Sequence, residues 1–251
     1  MRHLWCVPGH LANPRNPTDD VRQHTAIKEA EMGGWGEFGA AMVVFLLSHA
    51  IPVRPPVRPW LVARMGLVPY LVCYSILSIG VLIWLVLAAR YAPYIQVLPD
   101  WEGWRWAPVL IMPLVCWLAV AGLGTSNPLS FGGMKRGEFD RENPGVLGFT
   151  RHPLPMALAL WSGAHLLAKG DLAHVILFGV FAGFAVMAMK MLDLRKQRLM
   201  GVGAWQDLAC NTSLFNPAAL RPRLWQVAAA IAIFVVLFHL HLPIIGFSPL
   251  P

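Results

Sequence analysis

The chain has 251 residues, 57% of them apolar and 13% charged, with a mean hydropathy of +0.55. Soluble domains carry about a quarter charged residues, so this balance, with 11 Trp and 12 Phe to bury, describes a membrane protein and excludes a disordered chain, a coiled coil or a disulfide-framed secreted domain. The net charge of +7 does not call for nucleic acid, because cytoplasmic loops of membrane proteins are basic in any case.

Residues 1–31 read as polar coil, with Pro8, Pro14 and Pro17 and no apolar core of a signal peptide. They are expected to be a disordered leader or to lie upstream of the true start. In a bacterial gene, Lys28-Glu29 can be encoded AAGGAG, a ribosome-binding sequence. Ala30 and Glu31 would then give a six-nucleotide spacer before Met32.

Six apolar stretches follow, at 35–51, 66–89, 107–124, 153–168, 172–192 and 224–246. A spanning helix needs about 20 apolar residues. The second, fifth and sixth meet this comfortably, the first and third narrowly. The stretch 153–168 is short, bounded by Pro153, Pro155 and the Lys169-Gly170-Asp171 turn, and reads as a partial or re-entrant crossing. The runs are long, unalternating and rich in Ala and Leu, so they are helices rather than strands. The expected fold is an all-α integral membrane bundle of five or six transmembrane helices, occupying 32–251 as one domain.

Cation placement orients it. Arg54, Arg58 and Arg64 follow the first run. Lys135, Arg136, Arg141 and Arg151 follow the third. Arg195, Lys196, Arg198, Arg221 and Arg223 follow the fifth. The opposite loops hold only Arg90, Arg105 and Lys169. Both ends of a six-helix bundle should therefore face away from the cytoplasm. Trp35, Tyr91, Tyr94, Trp101, Trp104 and Trp106, at run edges, read as an interfacial belt.

Cys6, Cys73, Cys116 and Cys210 are scattered, without disulfide or zinc spacing. No Walker loop, GxSxG or HExxH is present. Chemistry at membrane depth therefore falls to histidines and their cationic neighbours. His49 ends the first run, His152 opens the fourth and His165 lies within it; His174, His239 and His241 sit nearer run ends. On spacing alone each serves equally as an interfacial hydrogen-bonding residue or as a ligand. Imidazoles in apolar surroundings can hold haem iron, with arginines pairing the propionates. Gly132–Glu138 reads as a solvated loop of paired charges, and Asn143-Pro144-Gly145 as a turn before a helix. Lys190 and Asp193 read as an intrahelical pair.

Several of these segments resemble the NnrU family. They are Ser48-His49-Ala50-x-Pro52 with Arg58, Thr150-Arg151-His152-Pro153, Trp161-x-x-Ala164-His165-Leu166-Leu167-Ala168-x-Gly170-Asp171, Phe178-Gly179, and Asp193-x-Arg195-Lys196. The resemblance runs from about Gly36 to Pro217. It implies a multi-pass protein of the bacterial cytoplasmic membrane, linked to denitrification and nitric oxide metabolism. The related plant and cyanobacterial branch is 15-cis-zeta-carotene isomerase, a haem b enzyme acting on a carotenoid polyene. The resemblance thus implies haem b, with His49 and His165 as its metal ligands. Ser162 stands where the isomerase has a cysteine, and Arg90 where it has a histidine. The expected partners are the lipid bilayer and a hydrophobic small molecule or redox partner.

Depth arithmetic gives a different pairing. His49 and His152 share the cytoplasmic end, whereas His165 lies thirteen residues beyond His152, or about 20 Å at 1.5 Å per residue. All three remain cofactor-binding candidates, with Arg54, Arg58 and Arg151 placed at that rim to pair propionates. A more distant likeness links Arg151-His152-Pro153, Asp193 and Trp205 to S-adenosylmethionine-dependent isoprenylcysteine and phospholipid methyltransferases, without the carboxylates that cofactor needs. A cofactor-free membrane assembly factor is the third alternative. Cysteine-accessibility labelling at Gly137 and Arg105 is expected to report opposite faces, Gly137 cytoplasmic; labelling from one face would overturn the orientation.

Overall fold

The computed structural model describes side chains over 34–99, 101–131 and 138–250, and backbone from Pro17. Among these residues it contains helices and no β-strand. In chain order they are α1 (Pro17–Ala50), α2 (Val57–Met65), α3 (Leu67–Tyr91), α4 (Glu102–Leu123), α5 (Val146–Phe149), α6 (Pro153–Ala168), α7 (Leu172–Met200), α8 (Val202–Ala209) and α9 (Leu224–Ile245). A short 3₁₀ turn, Pro217–Ala219, precedes α9.

Among the described residues, α3, α4, α7 and α9 are long and apolar enough to cross a membrane, and α6 is a shorter apolar helix. The protein is therefore a multi-pass helical membrane protein, as the composition requires. Each apolar run becomes a helix, and the fifth runs eight residues past its expected end, to Met200. The first is corrected at its start. The helix begins at Pro17, so 17–31 is helical rather than coil, while 1–16 lies outside the described residues. The charged loop 132–137 also lies outside them.

The chain divides between Pro93 and Tyr94 into two compact units. In the first, α1 packs along α3. Phe38, Ala41, Met42 and Phe45 are buried on α1 at helical spacing, facing Val81, Leu85, Ala88 and Ala89 on α3. Two polar ties fix the register: Trp84 Nε1 donates to Glu37 Oε1 (3.2 Å), and the Tyr70 hydroxyl to the Pro52 carbonyl (3.0 Å).

In the second unit α6 packs between α4 and α7, and α9 lies against another side of α4. The core gathers Val115, Trp117, Leu118 and Ala121 of α4, Leu147 and Phe149 of α5, Ala157 of α6 and Ala230 of α9. Gly145, at φ +59°, makes the turn into α5, a conformation that a β-carbon disfavours. Outward faces are apolar (Leu110 is 73% exposed), as a hydrocarbon solvent allows. Tyr91, Tyr94, Trp101, Trp104 and Trp106 are exposed near helix ends.

Close approach of α4 and α6 depends on Gly122, where an added Cβ would stand 2.9 Å from Pro153 Cγ. Small residues allow such packing where no hydrophobic effect drives helices together. Gly122→Val is therefore expected to destabilise the second unit by about 1–3 kcal/mol, read as an earlier thermal transition in detergent. An unchanged transition would mean that the helices do not pack here.

Candidate functional site

The second unit has two chemically distinct ends. At one, the loops after α4 and α7 meet the start of α6. Arg151 and His152 lie between α5 and α6, and both reach Asp193 on α7. Arg151 Nε donates at 3.0 and 3.1 Å to the two carboxylate oxygens, with Nη2 at 2.9 Å. His152 Nε2 donates to Asp193 Oδ1 at 3.0 Å. The Arg151 guanidinium also lies over the Trp205 ring, 5.3 Å from its centroid.

The backbone around this knot is fully engaged. Arg151 N donates to Ser213 O (2.7 Å), its carbonyl accepts from Asn127 Nδ2 (3.0 Å), and Asn216 N donates to Phe149 O (2.8 Å). His152 is fully buried. Burial holds its imidazole below the ordinary value, Asp193 opposes this, and Arg151 adds to it. The ring thus turns its Nε2–H to the carboxylate, and its Nδ1 has no hydrogen-bond partner. The intrahelical Lys190–Asp193 pair expected from spacing is not what forms. Arg151 offers Asp193 a two-pronged partner in a drier place, and the carboxylate turns to it.

At the opposite end, a cavity of about 560 Å³ opens between α4, α6 and α9, the segment 94–98 and the chain after α9. Such a volume suits a small-molecule ligand. Phe234, Leu237 and Phe238 form an apolar wall, and His165, Lys169, Arg105 and His241 supply polar groups. His165 sits in the last turn of α6, with Trp161 one turn before it and Phe178 of α7 beside it, at ring-centroid distances of 5.1 and 5.4 Å. Its Nδ1 is 2.8 Å from the Trp161 carbonyl, which only a protonated Nδ1 can use. Nε2 therefore carries the lone pair. His241 is held similarly, Nδ1 to the Phe247 carbonyl at 2.8 Å.

The rim of this cavity is clamped. Val97 N and Leu98 N both donate to Gly170 O (2.9 and 3.0 Å), and Leu172 N donates to Ile95 O (2.8 Å). Gly170 has no room for a side chain, since a Cβ would lie 2.9 Å from Leu98 O. Asp171 caps α7, accepting from His174 N (3.2 Å) and from the His174 ring at Nδ1 (2.7 Å). Burial alone would raise its carboxyl, but the His174 contacts outweigh that and hold it below its usual range. Lys169, whose ammonium lies 3.5 Å from the Phe247 ring centroid, is pushed down by burial, supported by Asp171 and depressed further by Arg105.

The sequence-nominated residues thus divide. Arg151 and His152 meet each other at Asp193. His165 stands at the far end of the same helix. His49 belongs to the first unit, in the last turn of α1, with Nδ1 tied to Phe45 O at 2.8 Å and its ring 4.2 Å from that of Phe45. Arg54 and Arg58 are exposed in that unit, Arg58 lying 5.9 Å from the Tyr70 ring centroid. Sequence reasoning did not single out Lys169, Arg105 and His241 as a group. A signal was nevertheless present: two of the three cations in the cation-poor loops line this one cavity.

Asp193→Ala would leave a guanidinium and an imidazole without their anion, at a cost of about 3 kcal/mol. Chemical denaturation in detergent is expected to show that loss, and Arg151→Met/Asp193→Leu to recover much of it. Equal stability of parent and Asp193→Ala would show that the knot does not hold the two helices.

Neither a curated protein nor a solved structure matches the chain. Residues 37–249 match the family described as NnrU protein, a span that takes in part of the first unit and both ends of the second. The chain belongs to the NnrU protein family.

Proposed function

We propose that this protein binds haem b in its second unit, that His165 would hold the iron, and that it serves nitrogen-oxide metabolism in the membrane. The observation carrying this reading is the state of His165: Nδ1–H is spent on the Trp161 carbonyl, so Nε2 presents its lone pair beside an aromatic-walled cavity of about 560 Å³. A histidine ligand ordinarily has its other ring nitrogen fixed in this way, which sets both tautomer and ring orientation.

The residues present fit the group. Trp161 and Phe178 flank the imidazole. Phe234, Leu237 and Phe238 offer an apolar wall to a flat macrocycle, and Arg105 and Lys169 offer cations to its carboxylates. Bound haem would supply an iron able to hold nitric oxide or pass one electron.

Ser162 favours this reading over polyene isomerisation. It is buried, and its hydroxyl donates to Leu158 O at 2.6 Å where the isomerase has a cysteine. Arg151 is already engaged with Asp193, which favours propionate partners at the Lys169 end over those at the Arg151 end.

The absorption spectrum of the purified full chain tests the reading. A Soret band is expected, with most of it lost in His165→Ala and most kept in His152→Gln. His49→Ala is read in the same spectrum, as it carries the second imidazole that the family resemblance nominates. No Soret band in the parent, or a parental spectrum in His165→Ala, would overturn the proposal.

A further inference from the structure

Lys169 lies at the rim of the cavity with its ammonium over the Phe247 ring. Among the described residues it makes no ion pair. Asp171, two residues along the chain, spends its carboxylate on capping α7 and on the His174 ring. A half-buried cation without an anion is costly, and the cost falls when an anion arrives. Arg105 lines the same cavity and adds positive charge.

We propose that Lys169 is the anchor for the carboxylate of an apolar ligand whose body lies along Phe234, Leu237 and Phe238. The ammonium donates to the carboxylate in a charge-assisted hydrogen bond while the hydrocarbon or ring portion leaves the lipid for the cavity. The inference deepens the reading above, since it concerns the same cavity, but it requires only the carboxylate. A porphyrin propionate and the head of a fatty acid both carry that chemistry.

Ligand pairs differing only in that charge separate the two sources. The full chain in detergent is titrated with haemin and haemin dimethyl ester, followed at the Soret band. It is then titrated with oleate and methyl oleate, followed by tryptophan fluorescence. In at least one pair the acid is expected to bind about tenfold more tightly than the ester. Lys169→Met should shrink that preference to about twofold or less, and Lys169→Arg should keep it. A preference confined to the oleate pair, with no Soret band from haemin, would sink the haem reading and leave the carboxylate site standing. Confined to the haemin pair, it identifies the porphyrin as the source. Equal binding of acid and ester in both pairs, no binding of any probe, or a preference undiminished in Lys169→Met would overturn the inference. The parent chain alone supplies the acid-against-ester comparison, so a poorly folded variant does not remove the test.

Discussion

Arg151 cannot sit in an apolar helical assembly without an anion, and Asp193 is the anion it meets. Each charge alone would cost several kcal/mol to desolvate. Together, with His152 donating to the same carboxylate and Trp205 beneath the guanidinium, they make one neutralised cluster. That cluster fixes the entry to α6 against α7. Because α6 is a single rigid rod from Pro153 to Ala168, it also fixes where His165 emerges at the other end. The polar knot and the cavity are thus the two ends of one lever. The same knot spends His152 Nε2 on Asp193 and leaves its Nδ1 fully buried, whereas His165 lines the cavity.

The aromatic residues continue this division of labour. Trp161 is both the acceptor that sets the His165 tautomer and a ring in the cluster with Phe178 and Phe181. Tautomer and aromatic packing therefore come from one side chain and its own backbone, one helical turn from the imidazole. The Gly170 clamp does comparable work for the cavity rim by tying the loop before α7 to the segment 95–98 through main-chain bonds alone.

Much of the architecture could be read directly from the chain. Apolar runs bounded by Pro, Gly and charge become helices because a bilayer permits little else, and α6 occupies the limits its flanking Pro153 and Lys169-Gly170-Asp171 imply. The short helices α2, α5 and α8 escaped, since four to nine residues carry too little periodicity to register. The helical stretch 17–31 escaped because its polar composition resembles coil and its continuation from the apolar run is cooperative rather than compositional. Asp193 was assigned to its helical neighbour Lys190 because local spacing is visible in one dimension, whereas a partner 42 residues away is not. His165 was legible from its motif. The grouping of Lys169 and Arg105 around it was not, because it depends on how α4 and α6 lie together.

The length of α6 has a consequence for the bilayer itself. Sixteen residues rise about 24 Å, against a hydrocarbon layer about 30 Å thick. Its neighbours α4 and α7, with 22 and 29 residues, rise about 33 and 44 Å and are long enough to cross that layer. A stubby helix between full-length ones creates a local mismatch, relieved by thinning of the lipid leaflet or by letting the membrane dimple over the shorter element. With the Arg151 knot pinned at one surface, the dimple falls at the other, above Lys169 and the cavity mouth. Headgroups and water are drawn toward a site whose wall faces acyl chains, so a molecule with an oily body and a wet head meets both solvents there at once.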